Sequence, residues 1–255
     1  MAFGNIVNIK SDIEESVENS YFIPVEEPLK WLTELSVTED GQLPECYRKV
    51  WQVTATEALE NLCRDGAGDR AVLNFADALE PGGGFQSGAK NQESGLCSTS
   101  SLYLTQLKHK KYYDCNKEAN TPVYTDAAIF SRNVVFFRDD NGNFLVSPFT
   151  ASVLTLPAVN RVGCLKSGMD DEEQLKVMKR RMLVALTILS QYSCKNVVLG
   201  AYGCGRFGQS ADWVASTWVE LLSNYFPGTF ESVVFAVPDY ATYSVFRNHI
   251  SWEGT

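Results

Sequence analysis

One arrangement occurs twice in this chain: a continuous apolar run, then a loop dense in glycine, then a segment with helical spacing. The first copy is Val72 to Tyr103, VLNFADALEPGGGFQSGAKNQESGLCSTSSLY. The second starts at Asn196 as NVVLGAYGCGRFGQSA and passes into a helix expected over 212–224, with Ser210 as its N-cap. Apolar runs of this length, ended by turn residues, are buried strands. Strands that alternate with helices predict an α/β layered sheet rather than an α+β or all-β domain.

The other segments fit that alternation. Residues 57–64 (EALENLCR) read as a short amphipathic helix ahead of a strand over 70–76. Leu96, Tyr103, Leu104 and Leu107 recur at helical spacing, which predicts one helix over 94–108. Strands are expected at 134–138 and 153–157. Asp170 with Glu173 three residues on makes a capping-box signature for a long helix to Tyr192, with Leu175, Met178, Met182, Ala185 and Leu189 on its apolar face. A last strand at 232–237 precedes Asp239, placed to open a C-terminal helix. Residues 1–50 are acidic and weakly periodic, an N-terminal extension with one or two short helices packed on a core formed by 51–255, in a single domain overall.

A loop between a strand and a helix can present unpaired backbone N–H groups at the positive end of the helix dipole, where phosphate binds. Glycine lets the backbone approach such a ligand and adopt positive φ. The loops Gly82-Gly83-Gly84-Phe85 and Gly203-Cys204-Gly205-Arg206-Phe207-Gly208 together suit a diphosphate gripped from two sides. Either loop alone is as readily a tight turn. Phe85 and Phe207 follow the glycines, where an aromatic ring either covers a ribose or anchors its loop in the core. There is no G-x-x-x-x-G-K-[ST], and G-x-G-x-x-G is only loosely suggested by Gly203, Gly205 and Gly208. No ribose-binding acid can be placed at the end of the following strand, which leaves an oxidoreductase a poor third reading.

A formal net charge of −9 argues against a surface that binds nucleic acid through its phosphates, while one diphosphate held by backbone amides needs no positive charge. Seven cysteines without a C-x-x-C pair read as reduced thiols of a cytosolic protein. With only His109 and His249 available, a His-based metal site or Ser-His-Asp triad would need two residues far apart in sequence. Asp139, Asp140, Asp170 and Asp171 read as turn and capping acids rather than ligands, so neither metal nor cofactor is expected. No basic start followed by an apolar run and no stretch of about 18 apolar residues occurs, which points to a soluble cytoplasmic protein with no membrane partner.

Taken in order, NFADALEPGGGF, then QES after six residues, LY after seven more, LTLPA, LGAYGCGRFGQSADWVA and VVFAVPD resemble the microbial-type poly(ADP-ribose) glycohydrolases of the macrodomain superfamily. The likeness spans roughly residues 53 to 246. It implies a macrodomain-like α/β/α sandwich around a central mixed sheet, and ADP-ribose or an ADP-ribosylated protein as partner. It sets Gly82, Gly83 and Gly84 beside the diphosphate and the ribose next to the scissile bond, and Gly203, Gly205 and Phe207 on the other side. Asn74, Phe85, Gln92, Cys204 and Arg206 complete the candidate ligand contacts. Asp239 and Tyr240 are candidates for adenine, with residues 54–57 as the alternative.

Glycohydrolases of that family carry Gln-Glu-Glu after the glycines, the second Glu protonating the leaving oxygen. Here the triplet is Gln92-Glu93-Ser94. A serine hydroxyl cannot act as a carboxylic acid near neutral pH, whereas Glu93 keeps the carboxylate expected at the ribose hydroxyls. Asp77 is a second departure: either it faces Glu93 across the anomeric carbon as a catalytic carboxylate, or it caps the loop. These features imply an ADP-ribosyl hydrolase that favours mono-ADP-ribosyl-arginine. The alternatives are a binding-only reader of ADP-ribose and a poly(ADP-ribose) glycohydrolase.

Overall fold

The computed structural model describes residues 8–37 and 47–250. Among them, strands Ser20–Ile23 (β1), Tyr47–Trp51 (β2), Arg70–Phe75 (β3), Ala128–Arg138 (β4), Phe144–Leu156 (β5), Asn196–Gly200 (β6) and Ser232–Ala236 (β7) form one mixed sheet in the order β1-β4-β5-β3-β6-β7-β2. The strands from β5 to β2 are parallel. β4 runs antiparallel to both its neighbours.

Helices cover both faces because the central strands are apolar on both. Along β3, Ala71 and Leu73 join the cluster of Met178, Met182, Trp218 and Phe246, while Val72 joins that of Leu59, Leu62, Leu96 and Leu102, the two-residue alternation of a pleated strand. The first set comes from Asp171–Gln191 (α8), Ala211–Tyr225 (α9) and Tyr240–His249 (α10). The second comes from Ala55–Arg64 (α3), Gln92–Thr99 (α4) and Leu102–Lys108 (α5). This is the expected α/β/α sandwich.

Several local expectations change. The helix predicted over 94–108 is two helices, broken at Ser100 and Ser101, and Leu104 and Leu107 face solvent. The break is tertiary in origin: Ser100 bridges Phe136, and Ser101 N donates to Val135 O at 2.9 Å. β4 and β5 extend well beyond the short runs at 134–138 and 153–157: exposed Arg132 and Asn133, at a register shift between Ser131 and Val134, interrupt the apolar pattern of β4, and the first part of β5 mixes exposed apolar and polar residues. At the start of α8, Asp170 accepts from the Glu172 backbone at 2.8 Å, one residue earlier than a capping box requires. The face of α8 also buries Gln174 and Arg181 completely, and Arg181 pairs with buried Asp126 at 2.5 Å.

The acidic lead-in goes further than packing on the core: β1 and β2 are the two edges of the sheet, and a boundary after residue 50 falls inside β2. Helices Lys10–Glu18 (α1) and Glu26–Glu34 (α2) flank β1. Among the described residues no helix is long and apolar enough to cross a membrane.

Candidate active site

β3 and β6 are neighbours for only three residue pairs, Arg70–Asn196 to Val72–Val198. Beyond that the strands part, and Gln92 fills the missing half of the ladder: its Oε1 accepts from Phe75 N at 2.9 Å and its Nε2 donates to Leu73 O at 2.8 Å. The chain leaving β3 goes to α4 on one face, and the chain leaving β6 goes to α9 on the other. Such a divergence at the carboxyl ends of parallel strands opens a crevice where α/β sheets bind ligands. Both glycine loops lie there.

Gly82, Gly83 and Gly84 have φ of 85°, 56° and 79°, a left-handed run that only glycine adopts without strain. Space demands glycine as well. A Cβ on Gly83 would stand 2.7 Å from Glu93 Oε2 and 2.9 Å from Asn91 Oδ1. Asn91 joins the loop to α4: its Nδ2 donates to Gly83 O at 2.8 Å, and its Oδ1 accepts from Ser94 N at 2.8 Å. Ser94 completes a capping box, its hydroxyl accepting from Asn91 N at 2.8 Å and lying 2.8 Å from Asn91 O. The residue that departs from Gln-Glu-Glu is thus engaged in closing the helix start. Phe85 packs edge-on against Tyr103 at 4.8 Å.

Glu93 is 1% exposed, and three donors serve its carboxylate. Asp77 N reaches Oε2 at 2.7 Å, while Asn74 Nδ2 and Gln106 Nε2 reach Oε1 at 3.1 and 2.6 Å. Burial pushes this carboxyl up to about 7; the three hydrogen bonds oppose the rise and the charge of Asp77 adds to it. Asn74 is fully buried, and its second donor contact is Thr155 Oγ1 at 3.2 Å, yet its Oδ1 has no partner within the protein. A buried acceptor left open beside a carboxylate is suited to a ligand hydroxyl.

Asp77 stands next to Glu93, but its Oδ1 accepts from Leu79 N at 2.8 Å and Glu80 N at 3.0 Å, capping the turn into the glycine loop. Of its two sequence readings, the cap is the one this oxygen adopts.

The second loop is braced from beneath. Gly203 and Gly208 have φ of 77° and 73°, and a Cβ on Gly208 would meet Val162 at 2.8 Å. A Cβ on Gly205 would meet open space. Arg161, in the helix Arg161–Lys166 (α7), donates to Gly208 O at 3.2 Å and grips Asp171 with two hydrogen bonds of 2.7 and 2.8 Å. Phe207 lies 6.0 Å from the ring of Tyr124, a residue in a left-handed conformation (φ 55°) that bulky side chains adopt at a cost. Burial pushes the Cys204 thiol up to about 12, so it offers backbone rather than thiolate. Arg206 is exposed.

Asp239 caps α10, its Oδ2 accepting from Thr242 N and Oγ1 at 2.8 Å, and Tyr240 beside it is 70% exposed. Thr54 caps α3 and donates to Asp140 at 2.5 Å. His109 contacts Ser20 and His249 contacts Asp212, so neither joins the Glu93 network. Asn91, Gln106, Tyr124 and Arg161 were not among the residues singled out from sequence. Asn91 alone had a local signal, an N-cap residue three before Ser94.

Residues 2–139 match the family model described as microbial-type PARG, catalytic domain. Poly(ADP-ribose) glycohydrolase from Thermomonospora curvata superposes with a TM-score of 0.90 at 33% identity, covering 97% of this chain and 91% of that one. Its complex with the inhibitor ADP-HPD gives 0.88 at 32% identity, with the same coverage. The enzyme from Deinococcus radiodurans in complex with ADP-ribose gives 0.83 at 31% identity, covering 95% and 98%. No curated protein matches the sequence. The chain therefore belongs to the microbial-type poly(ADP-ribose) glycohydrolase catalytic-domain family and is a glycosidase-type hydrolase in class.

Proposed function

We propose that this chain hydrolyses the bond between ADP-ribose and a modified protein side chain, with mono-ADP-ribosyl-arginine favoured. The observation that carries the reading is a single buried carboxyl, Glu93, beside the open Oδ1 of Asn74 at the junction of two glycine loops, while the Ser94 hydroxyl is used up in a helix cap. Complexes of the matching glycohydrolases with ADP-ribose and ADP-HPD support the ligand class.

In this reading Gly82, Gly83, Gly84 and Phe85 line the diphosphate and the ribose next to the scissile bond. Gly203, Cys204, Gly205, Arg206 and Phe207 close from the other side, Arg206 by its charge and Cys204 by its backbone. Gln92 acts indirectly, by keeping β3 and β6 apart, and Asp239 with Tyr240 serve the adenine. Residues 1–50 and 51–255 work as one domain, since the former supply the edge strand β1 and most of the edge strand β2.

Glu93 and Asn74 take the ribose hydroxyls, and the Glu93 carboxylate stabilises positive charge that grows on the ring as the bond to the leaving group stretches. Water adds to the anomeric carbon as the side chain departs, and the proton that water loses ends on the strongly basic guanidine. An ADP-ribosylated guanidinium is already cationic at neutral pH and leaves as neutral guanidine, with no proton needed from the enzyme. A ribose hydroxyl leaves only with a donated proton, which Ser94 cannot supply.

Two other readings have their own support. The matching structures are poly(ADP-ribose) glycohydrolases, which favours cleavage of poly(ADP-ribose) itself. The capping roles of Ser94 and of Asp77 Oδ1 favour a reader that binds without turnover. Release of ADP-ribose from arginine-modified, glutamate-modified, serine-modified and poly(ADP-ribosyl)ated protein separates the three. The proposal requires fastest release from the arginine-linked substrate. Faster release from polymer overturns the linkage preference, and ADP-ribose binding without any release overturns hydrolysis.

A further inference from the structure

Residues 93 and 106, on an unbroken helix, would lie about 20 Å apart along its axis. The break at Ser100 and Ser101 removes that separation. Ser101 exchanges hydrogen bonds with β4, its N donating to Val135 O at 2.9 Å and its Oγ accepting from Val135 N at 3.0 Å. Ser100 Oγ donates back to Leu96 O at 2.6 Å, ending α4. α5 therefore folds back along α4 and delivers the fully buried side chain of Gln106 to Glu93.

The Gln106 contact, at 2.6 Å, is the shortest of the three to the carboxylate. Its amide cannot turn over freely, because Gln106 Oε1 accepts from Cys97 Sγ at 3.4 Å and so leaves Nε2 toward Glu93. Without Gln106, Glu93 Oε1 retains only the longer contact from Asn74.

We propose that Gln106 is the positioning residue for Glu93: through the helix break it fixes the carboxylate in one rotamer facing the ribose site and donates to its charged form. Its part in turnover rests on the hydrolase reading above, whereas its effect on Glu93 does not. The titratable groups that face Glu93 are Asp77 from the loop after β3, Cys97 from α4, and Tyr112 and Tyr113 from the helix Lys110–Ala119 (α6). Asp77 disfavours the Glu93 charge, and burial keeps the Cys97 thiol and both phenols protonated, so neutral donors carry the task.

The test is a carboxyl-carbon NMR titration of Glu93 in the full chain without ligand, alongside a pH profile of ADP-ribose release. The near-isosteric Gln106→Met variant should raise the Glu93 midpoint by roughly one pH unit, as expected for loss of a hydrogen bond to a charged group, and the acidic limb of the release profile should follow it. Cys97→Ala, which frees the amide to turn, should move both in the same direction by less. A Gln106→Met midpoint equal to wild type in a folded variant overturns the proposal. Should that variant fail to fold, an unmoved midpoint in Cys97→Ala does the same. Absent release in the wild type defeats the hydrolase reading and leaves the titration to decide Gln106.

Discussion

At the scale of single residues, the site turns on a carboxyl that is costly to ionise where it sits. Glu93 is raised from 4.5 to about 7 on folding, so between those values the native state binds a proton that the unfolded chain has released. Its contribution to stability is therefore fully present below pH 4.5 and is lost as pH rises to about 7. Glu93→Gln cannot titrate, so the stability difference between wild type and variant should move against the wild type by up to about 3 kcal/mol across that window. Chemical denaturation at pH 5 and pH 8 measures it, and an unchanged difference would contradict the burial argument. Asp77→Asn separates the two roles of Asp77. Asparagine Oδ1 can still accept from Leu79 and Glu80, so stability should stay within about 0.5 kcal/mol of wild type; a tenfold or greater loss of ADP-ribose release in that folded variant would make Asp77 a working carboxylate, and retained release would leave it a cap.

At the scale of elements, the glycine loop and α4 form one unit joined by Asn91. Gly83→Ala should cost about 1–2 kcal/mol from the left-handed backbone alone, and its Cβ would also drive the Glu93 carboxylate out of place. Gly84→Ala shares the backbone penalty, but its Cβ meets only Ala89 at 3.3 Å. ADP-ribose affinity measured by calorimetry should thus fall further for Gly83→Ala than for Gly84→Ala; equal losses would mean that the carboxylate contact is irrelevant to binding. The same elements explain what the sequence could disclose. The strand into Gly82, the cap at Ser210 and the helix from Asp239 rest on local chemistry, and each is readable from a few adjacent residues. The division of α4 from α5, and with it the meeting of Gln106 and Glu93, depends on β4, which lies some thirty residues further along the chain; nothing in the spacing of Leu96, Tyr103 and Leu107 could announce it. The first halves of β4 and β5 were obscured for a related reason, since pairing carries β4 across the exposed Arg132 and Asn133 and β5 through its mixed start, where composition alone shows no strand.

At the scale of the whole molecule, the chain's first described strand closes the sheet on the β4 side. Ile23 is fully buried there, and the four pairs from Ser20–Ser131 to Ile23–Ala128 cover the edge of β4. A version starting at residue 25 would expose that edge as a template for another strand. It should unfold at lower temperature and form larger species by light scattering; a monomer of unchanged unfolding temperature would show that β1 is dispensable. The parting of β3 from β6 has a mechanical consequence. A molecule seated in both glycine loops would act as a strut between the helical layers, one end braced through Asn91 on α4 and the other through Arg161 on α7. Its binding should then stiffen the protein as a whole rather than one loop. ADP-ribose at a hundred times its dissociation constant adds about 2.7 kcal/mol to stability, and hydrogen exchange should slow in α4 and α7 together. Slowing confined to one of them would mean that the two loops do not share a load.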